Sequence, residues 1–269
     1  MKFGLLIIGD EILSGKREDK HLPKVIELLA ARGLALDWAR YVGDDPARIT
    51  ADLKDAFASG DVVFSCGGIG ATPDDHTRQC AGAALDRPLV LHPQAAELIL
   101  ERMRDLAREK GVPYEPDRDD NRHRLNMGVF PQGAEIIPNP YNKIAGFGVR
   151  AADRAGVYFV PGFPVMAWPM IEWVLDTHYA DLQRKRGHCE KSVIVFGAME
   201  AALTPLMEAI EARFGGIKVF SLPSVDHPQW GRHIELGVKG DPVALDAAYA
   251  ELLDGLREHQ AALGPEMVR

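Results

Sequence analysis

One run, Cys66-Gly67-Gly68-Ile69-Gly70-Ala71-Thr72-Pro73-Asp74-Asp75-His76-Thr77, gathers three glycines, two threonines and two adjacent carboxylates. Glycines at 67, 68 and 70 let the backbone turn sharply and approach a ligand closely. Thr72, Pro73 and Asp75 read as a helix start with capping-box-like Thr-x-x-Asp spacing, and N–H groups at such a start favour anionic oxygen. The expectation is a phosphate cradle formed by Gly67, Gly68, Gly70, Thr72 and Thr77. Its spacing matches neither the P-loop nor the dinucleotide fingerprint, which disfavours a Walker-type ATPase and a nicotinamide dehydrogenase. Turn glycines and a dipole-complementing Asp would also explain an isolated loop of this kind without any chemistry. Two carboxylates beside a phosphate cradle would repel the ligand unless a divalent cation mediates. Asp74 and Asp75 holding Mg²⁺, Mn²⁺ or Co²⁺ resolve that conflict, because hard cations take carboxylate and phosphate oxygens together.

Further carboxylates stand where strands are expected to end. Asp10 and Glu11 follow the first apolar run, and Asp44 and Asp45 follow the second. Asp45 before Pro46 reads as a helix N-cap. Asp10 is a candidate catalytic residue with Asp74 and Asp75, and Asp44 a candidate third metal ligand. Their alternative is that of solvated loop carboxylates. The nine histidines form no His-x-x-x-His pair, and Cys66, Cys80 and Cys189 show no Cys-x-x-Cys spacing. A thiolate or imidazole metal site is therefore unsupported, and the thiols read as buried apolar groups.

The elements that must position these residues alternate. Phe3 to Ile8 reads as a buried strand, Lys20 to Arg32 as an amphipathic helix, Leu34 to Val42 as a strand, Pro46 to Gly60 as a helix and Val62 to Ser65 as a strand. Strict alternation implies parallel strands with helices on both faces, and ligands beyond the carboxyl ends of the strands. A strand at Leu89 to Leu91, a helix from Pro93 to Lys110, paired strands at Glu135 to Ile137 and Val157 to Val160, and a closing helix from Pro164 to Leu182 follow. The polar, basic stretch Gln183 to Glu190 reads as a linker. Beyond it, a β-α-β-β-α order predicts a small α+β domain over residues 190–262, after an α/β domain over 1–182.

Composition bounds the remaining classes. The 269 residues carry 31 Lys and Arg against 39 Asp and Glu, a formal net charge of −8, and 46% are hydrophobic. That content fills a core and excludes intrinsic disorder, while scattered basic residues on an acidic chain disfavour nucleic-acid binding. The apolar runs fall far short of the roughly 18 residues a spanning helix needs, and no signal-peptide pattern precedes the first strand. No membrane partner and a cytoplasmic location are expected.

Gly9-Asp10-Glu11-Ile12-Leu13-Ser14-Gly15, Val42-Gly43-Asp44-Asp45, the glycine loop through Asp74-Asp75-His76-Thr77, Phe130-Pro131-Gln132-Gly133, Ile137-Pro138-Asn139-Pro140 and Val160-Pro161-Gly162-Phe163-Pro164 recur in this order. Together they resemble the signatures of the molybdopterin-binding domain superfamily, closest to the N-terminal domain of CinA, the competence- and damage-inducible proteins. The resemblance implies a three-layer α/β fold with a mostly parallel sheet that binds a phosphorylated pterin or a nucleotide. It also implies, by likeness to CinA-type proteins, a metal-dependent pyrophosphatase on a nucleotide diphosphate such as ADP-ribose. Its alternative is a non-catalytic carrier of molybdopterin or a nucleotide. Relatives commonly assemble, which makes a homodimer the expectation.

Departures from the family pattern fall at Asp19, where relatives often have Asn, at Ala71, and across Tyr141 to Ala145. Lys143 falls in that last, pocket-forming segment and is a candidate ligand-binding cation. Gly162, in a turn before a helix, is a candidate second anion contact, and a rigid strand-to-helix connection explains it equally well. Arg118, Arg122 and Arg124 read as members of an ion-paired surface in preference to a phosphate clamp. The chain ends before the amidase domain of full-length CinA, so amidase activity is not expected of it.

Overall fold

A computed structural model describes all residues except 151–154, 184–188 and 269, and leaves the side chains of Asp120 and Cys189 undescribed. The chain divides into two compact units, Met1–Gln183 and Arg184–Arg269. The expected linker falls mostly on 184–188 and so lies outside the described residues, as does the expected thiol of Cys189.

The first unit runs β1 (Phe3–Ile8), α1 (Asp10–Leu13), α2 (His21–Ala30), β2 (Trp38–Val42), α3 (Pro46–Ala58), β3 (Val62–Cys66), α4 (Thr77–Leu85), β4 (Leu89–Leu91), α5 (Pro93–Glu109), α6 (Asp119–Arg124), β5 (Val129–Pro131), β6 (Glu135–Ile137), β7 (Gly146–Arg150), β8 (Gly156–Val160) and α7 (Pro164–His178). Its main sheet has the order β2-β1-β3-β8-β7-β6. The pairings from β2 to β8 are parallel, and β7 and β6 extend the sheet antiparallel.

β1 is apolar at every position because both of its faces are covered. Leu5 and Ile7 pack with Val25, Leu29 and Met170 on the face that α2 and α7 cover. Leu6 and Ile8 pack with Ile49, Leu53 and Ala81 on the face of α3 and α4. On that second face the rings of Phe130, Phe147 and Phe159 stack in sequence, with centroids 4.6 and 4.3 Å apart. This is a three-layer α/β fold with a mainly parallel central sheet.

Three expectations for this unit need correction. The strands at Glu135–Ile137 and Gly156–Val160 do not pair with each other, because β7 lies between them. Two glycines in Gly146-Phe147-Gly148 hide the strand signal of β7. The closing helix stops at His178, with a short 3-10 turn over Ala180–Leu182. The helix expected to begin at Thr72 begins at Thr77.

The second unit runs β9 (Cys189–Phe196), α8 (Glu200–Arg213), β10 (Ile217–His227), β11 (Gly231–Gly240), α9 (Pro242–Glu258) and β12 (Ala262–Val268). Its sheet, in the order β10-β11-β9-β12, is antiparallel throughout. Alternate residues Val193, Val195, Leu236 and Val238 share a core with Leu203, Ile210, Leu245 and Leu252 of α8 and α9. The sequence reading missed β12, since Gly264-Pro265 disguises it. Proline is tolerated there because β12 is an edge strand. Among the described residues no helix is long and apolar enough to cross a membrane.

Candidate functional site

The parallel strands β1, β2, β3 and β8 deliver their carboxyl ends side by side, and the candidate carboxylates and glycines follow directly from those ends. The Gly9 N–H donates to the Val42 carbonyl at 3.0 Å, tying the end of β1 to the end of β2. One residue further, the Asp10 N–H donates to Asp44 Oδ2 at 2.9 Å, and the Asp44 N–H donates to Asp10 Oδ1 at 3.2 Å. Burial pushes the Asp44 carboxyl above its ordinary range; the Asp10 N–H opposes the shift, and the charges of Asp10, Glu11 and Asp74 reinforce it. Asp10, Asp44 and Asp74 therefore share one acidic field.

The glycine loop leaves β3 beside this pair. Gly68 has φ +69°, and a Cβ there would run into Thr77 Oγ1. Close approach and a left-handed conformation thus both require glycine. The Gly67 N–H is committed to the Val160 carbonyl at 3.0 Å, so the loop is latched to β8. Thr77 is fully buried, and its hydroxyl donates to the Gly67 carbonyl at 3.1 Å while its N–H donates to the Gly68 carbonyl at 3.0 Å. Gly67 and Thr77 accordingly brace the loop, and neither offers its polar hydrogen to a ligand, contrary to expectation. Among the described residues the backbone N–H groups of Gly68, Ile69, Gly70 and Ala71 have no protein acceptor. These four N–H groups are the ones the loop leaves available to an anion.

Thr72 and Asp75 form a clasp where the sequence suggested a helix start. The Thr72 N–H donates to Asp75 Oδ2 at 2.8 Å, the Thr72 hydroxyl to the same oxygen at 2.5 Å, and the Asp75 N–H to the Thr72 carbonyl at 3.0 Å. The carboxylate-to-N–H half of a capping box is present, but it closes a turn. Asp74 is exposed and lies below the usual carboxylate range, through the nearby Thr72 hydroxyl, its own backbone N–H and the charge of His76. By donor type, Asp10, Asp44 and Asp74 suit a hard divalent cation. Asp75 is the weaker candidate, with Oδ2 already taken twice. Among the described residues no three His, Cys, Asp or Glu side chains form a ready-made ion cage.

Two clefts border the site. The first, about 410 Å³, is lined by Thr72, Asp75, His76, Arg78, His123 and Asn126 among others. Arg78, buried at 5% exposure, donates from Nη2 to the Gly70 carbonyl at 2.6 Å and so fixes the far side of the loop. Burial pushes its guanidinium below the ordinary value, with the Asp75 charge opposing.

The second cleft, about 320 Å³, lies between the ends of β1 and β3 and the turn after β8. Ile7, Ile8 and Cys66 line it beside His21, Gly162 and Phe163. Burial pushes the Cys66 thiol upward, so it is a neutral wall group and no nucleophile. Gly162 contributes its carbonyl, which accepts from His21 Nε2 at 3.1 Å.

Lys143 lines neither cleft. Its Nζ contacts Glu101 Oε1 at 2.5 Å and Asp105 Oδ2 at 2.7 Å, both on α5. Asn139 shapes the surrounding turn, donating to Asn142 Oδ1 at 2.8 Å and to the Ile144 carbonyl at 2.9 Å. Arg122 pairs with Asp117 at 3.4 Å, in keeping with an ion-paired surface. Sequence reasoning missed His21 and Arg78. Asp19 gave a usable signal for the first, because its carboxylate accepts from the N–H groups of His21 and Leu22 like an N-cap.

Residues 4–180 match the family model described as "Probable molybdopterin binding domain". Among individual relatives, a CinA-like protein of Syntrophotalea carbinolica is 29% identical over 222 residues, which is 80% of this chain and 51% of that protein. A CinA-like protein of Anaeromyxobacter sp. strain K is 34% identical over 176 residues, 65% of this chain and 40% of that protein. The chain thus spans about half or less of the length of these relatives. A crystal structure of the protein CinA from Thermoplasma acidophilum covers 65% of this chain and 98% of its own, with TM-score 0.54 and 22% identity, a likeness of fold. With the family match running from β1 through α7 and taking in the whole acidic and glycine-rich site, this chain belongs to the molybdopterin-binding domain family.

Proposed function

We propose that the strand-end site binds a phosphorylated pterin or nucleotide and hydrolyses a phosphoanhydride with a divalent metal, a nucleotide diphosphate such as ADP-ribose being the preferred substrate class. The observation that carries this reading is the Asp10–Asp44 pair, in the field of Asp74, beside a loop whose N–H groups from Gly68 to Ala71 lack protein acceptors. A cradle for phosphate next to three carboxylates is self-defeating without a cation between them. Asp10, Asp44 and Asp74 would hold that cation. A bound divalent ion supplies charge neutralisation and an acidified water.

The chain's own groups do the rest. Backbone N–H groups of the loop hold phosphate oxygens, Thr72 and Asp75 keep the loop closed, and Arg78 and Thr77 brace it from behind. The family match supports a small-molecule pterin as the ligand, and a nucleotide rests on the resemblance to CinA-type proteins. The test is turnover of a panel of nucleotide diphosphates with Mg²⁺, Mn²⁺ or Co²⁺. Hydrolysis that EDTA abolishes is expected, and absence of turnover with all three ions at high enzyme concentration would overturn the catalytic reading.

A second reading, a non-catalytic carrier of molybdopterin or a nucleotide, draws on the engagement of Asp75 by Thr72. Calorimetric titration with and without EDTA separates the two, since tight binding after chelation with no turnover favours the carrier. A homodimer also belongs to the proposal, and sedimentation velocity at micromolar concentration reads it directly.

A further inference from the structure

His21, the first residue of α2, is 4% exposed and lines the cleft between β1, β3 and the turn at Gly162. Its Nε2 lies 3.1 Å from the Gly162 carbonyl oxygen. A carbonyl can only accept, so Nε2 carries the hydrogen, and Nδ1 of the neutral ring keeps its lone pair. Nδ1 is buried and has no hydrogen-bond partner. An unsatisfied buried acceptor is unfavourable in the free protein and is relieved when something donates to it. Ile7, Ile8, Ile12 and the Cys66 thiol line the cleft with Phe163 and Pro164, and the charged side chains of Glu11, Arg17, Glu18 and Lys20 line it as well. On the open side stands Phe163, 52% exposed, with the Arg17 guanidinium 5.6 Å from its ring centre. A cleft that sets apolar side chains and an exposed aromatic wall beside charged groups suits a flat ring bearing polar substituents.

We propose that His21 is a specificity-determining residue whose Nδ1 accepts from an N–H group of a planar heterocycle seated in this cleft, the ring lying against Phe163. This deepens the proposed function, resting on its reading of a phosphorylated ligand, by naming the part of the chain that reads the ring. The class recognised is a purine or pterin bearing an amino or ring N–H donor. A ring of the same shape without that donor is discriminated against.

The test is calorimetric titration of the full chain with adenosine monophosphate, purine riboside monophosphate (which lacks the exocyclic amine), hydroxymethylpterin phosphate and ring-free ribose phosphate. The unmodified chain is expected to bind at least one amine-bearing ligand more tightly than ribose phosphate. If that ligand is the adenosine form, it should also bind severalfold to about tenfold more tightly than its amine-free counterpart, the range of one neutral hydrogen bond. His21→Gln retains an amide N–H for the Gly162 carbonyl and lacks an acceptor at the Nδ1 position. It should lower affinity for the amine-bearing ligands by the same factor and leave ribose phosphate unchanged. An equal loss for ribose phosphate, or undiminished affinity for the amine-bearing ligands, overturns the assignment. So does a ring that adds nothing over ribose phosphate in the unmodified chain, and that comparison needs no variant. In these outcomes ribose phosphate binding leaves the phosphate-site reading standing, whereas failure of all four ligands to bind overturns both.

Discussion

Asp10 and Asp44 each give a backbone N–H to the other's carboxylate, at 2.9 and 3.2 Å, across the adjacent ends of two parallel strands. The exchange holds two like charges together at a point where burial already disfavours the charge on Asp44. Gly43 makes the approach feasible, since a Cβ there would lie 2.5 Å from Asp10 Oδ1. The arrangement costs the free protein stability, a cost that the cation of the proposed function would relieve.

Asp44→Asn should therefore raise the melting temperature of the metal-free protein at neutral pH. The folded-state pKa of Asp44 is raised, so its ionisation is harder in the native chain. The resulting penalty is absent below the unfolded pKa and grows as pH rises through the folded one. Solvent screening keeps the gain small at pH 7, and it vanishes below the ordinary carboxylate range. With Mn²⁺ added the order should invert, because a ligand that binds only the native unmodified protein stabilises it. A variant no more stable than the parent at neutral pH, or one with undiminished Mn²⁺ stabilisation, contradicts this account.

The two neighbouring carboxylates of the loop should separate by role. Asp74→Ala removes an exposed, ionised group with little structural duty, so the melting temperature should hold while metal affinity and turnover fall at least tenfold. Asp75→Ala breaks both bonds to Thr72, costing about 1 kcal/mol and loosening the phosphate loop. Melting curves, metal titration and turnover on both variants check the split. Full activity in Asp74→Ala would remove it from the site.

Much of the scaffold around these residues is readable from sequence, and the reasons are local. β1 is a continuous apolar run between polar flanks, and α3 opens with Asp45-Pro46, whose carboxylate does cap the Arg48 N–H at 2.7 Å. The Thr72-x-x-Asp75 pattern was misread because the same hydrogen bonds serve a turn as well as a helix start, and only the bracing of Thr77 by Gly68 decides between them. His21 was illegible as a site residue for a different reason. Its partner carbonyl, at Gly162, lies 141 residues away, and no periodicity reports such a meeting.

Gly68→Ala tests the loop itself. The left-handed backbone costs about 1–2 kcal/mol for a residue with a Cβ, and the clash with Thr77 Oγ1 adds to it. The variant should lose phosphate-ligand affinity and melt several degrees lower. Adding Thr77→Ala removes the clashing hydroxyl and should restore part of the affinity, leaving the backbone cost. If the double variant is worse than the sum of the two single ones, Thr77 acts by something other than crowding.

Lys143 provides the matching control, because its ammonium is held by Glu101 and Asp105 and lines neither cleft. Lys143→Met should leave the affinity for nucleotide and pterin phosphates within about twofold of the parent, a change too small to represent a lost charged contact. Its effect on stability has a defined pH dependence. The Lys143 hydrogen bond holds the Asp105 carboxyl below its ordinary range, with the nearby charges of Lys143, Arg108 and Arg102 assisting. A depressed folded pKa contributes stability that is present above the unfolded pKa of about 3.9 and is lost as pH falls through the folded one. The parent should thus melt above the variant at neutral pH, by a small margin that salt reduces, and the two curves should converge as the pH falls below the ordinary carboxylate range. This is the reverse of the trend for Asp44→Asn, so one pH series on the three proteins reads both carboxylates. A tenfold loss of phosphate-ligand affinity in Lys143→Met would return this lysine to the site.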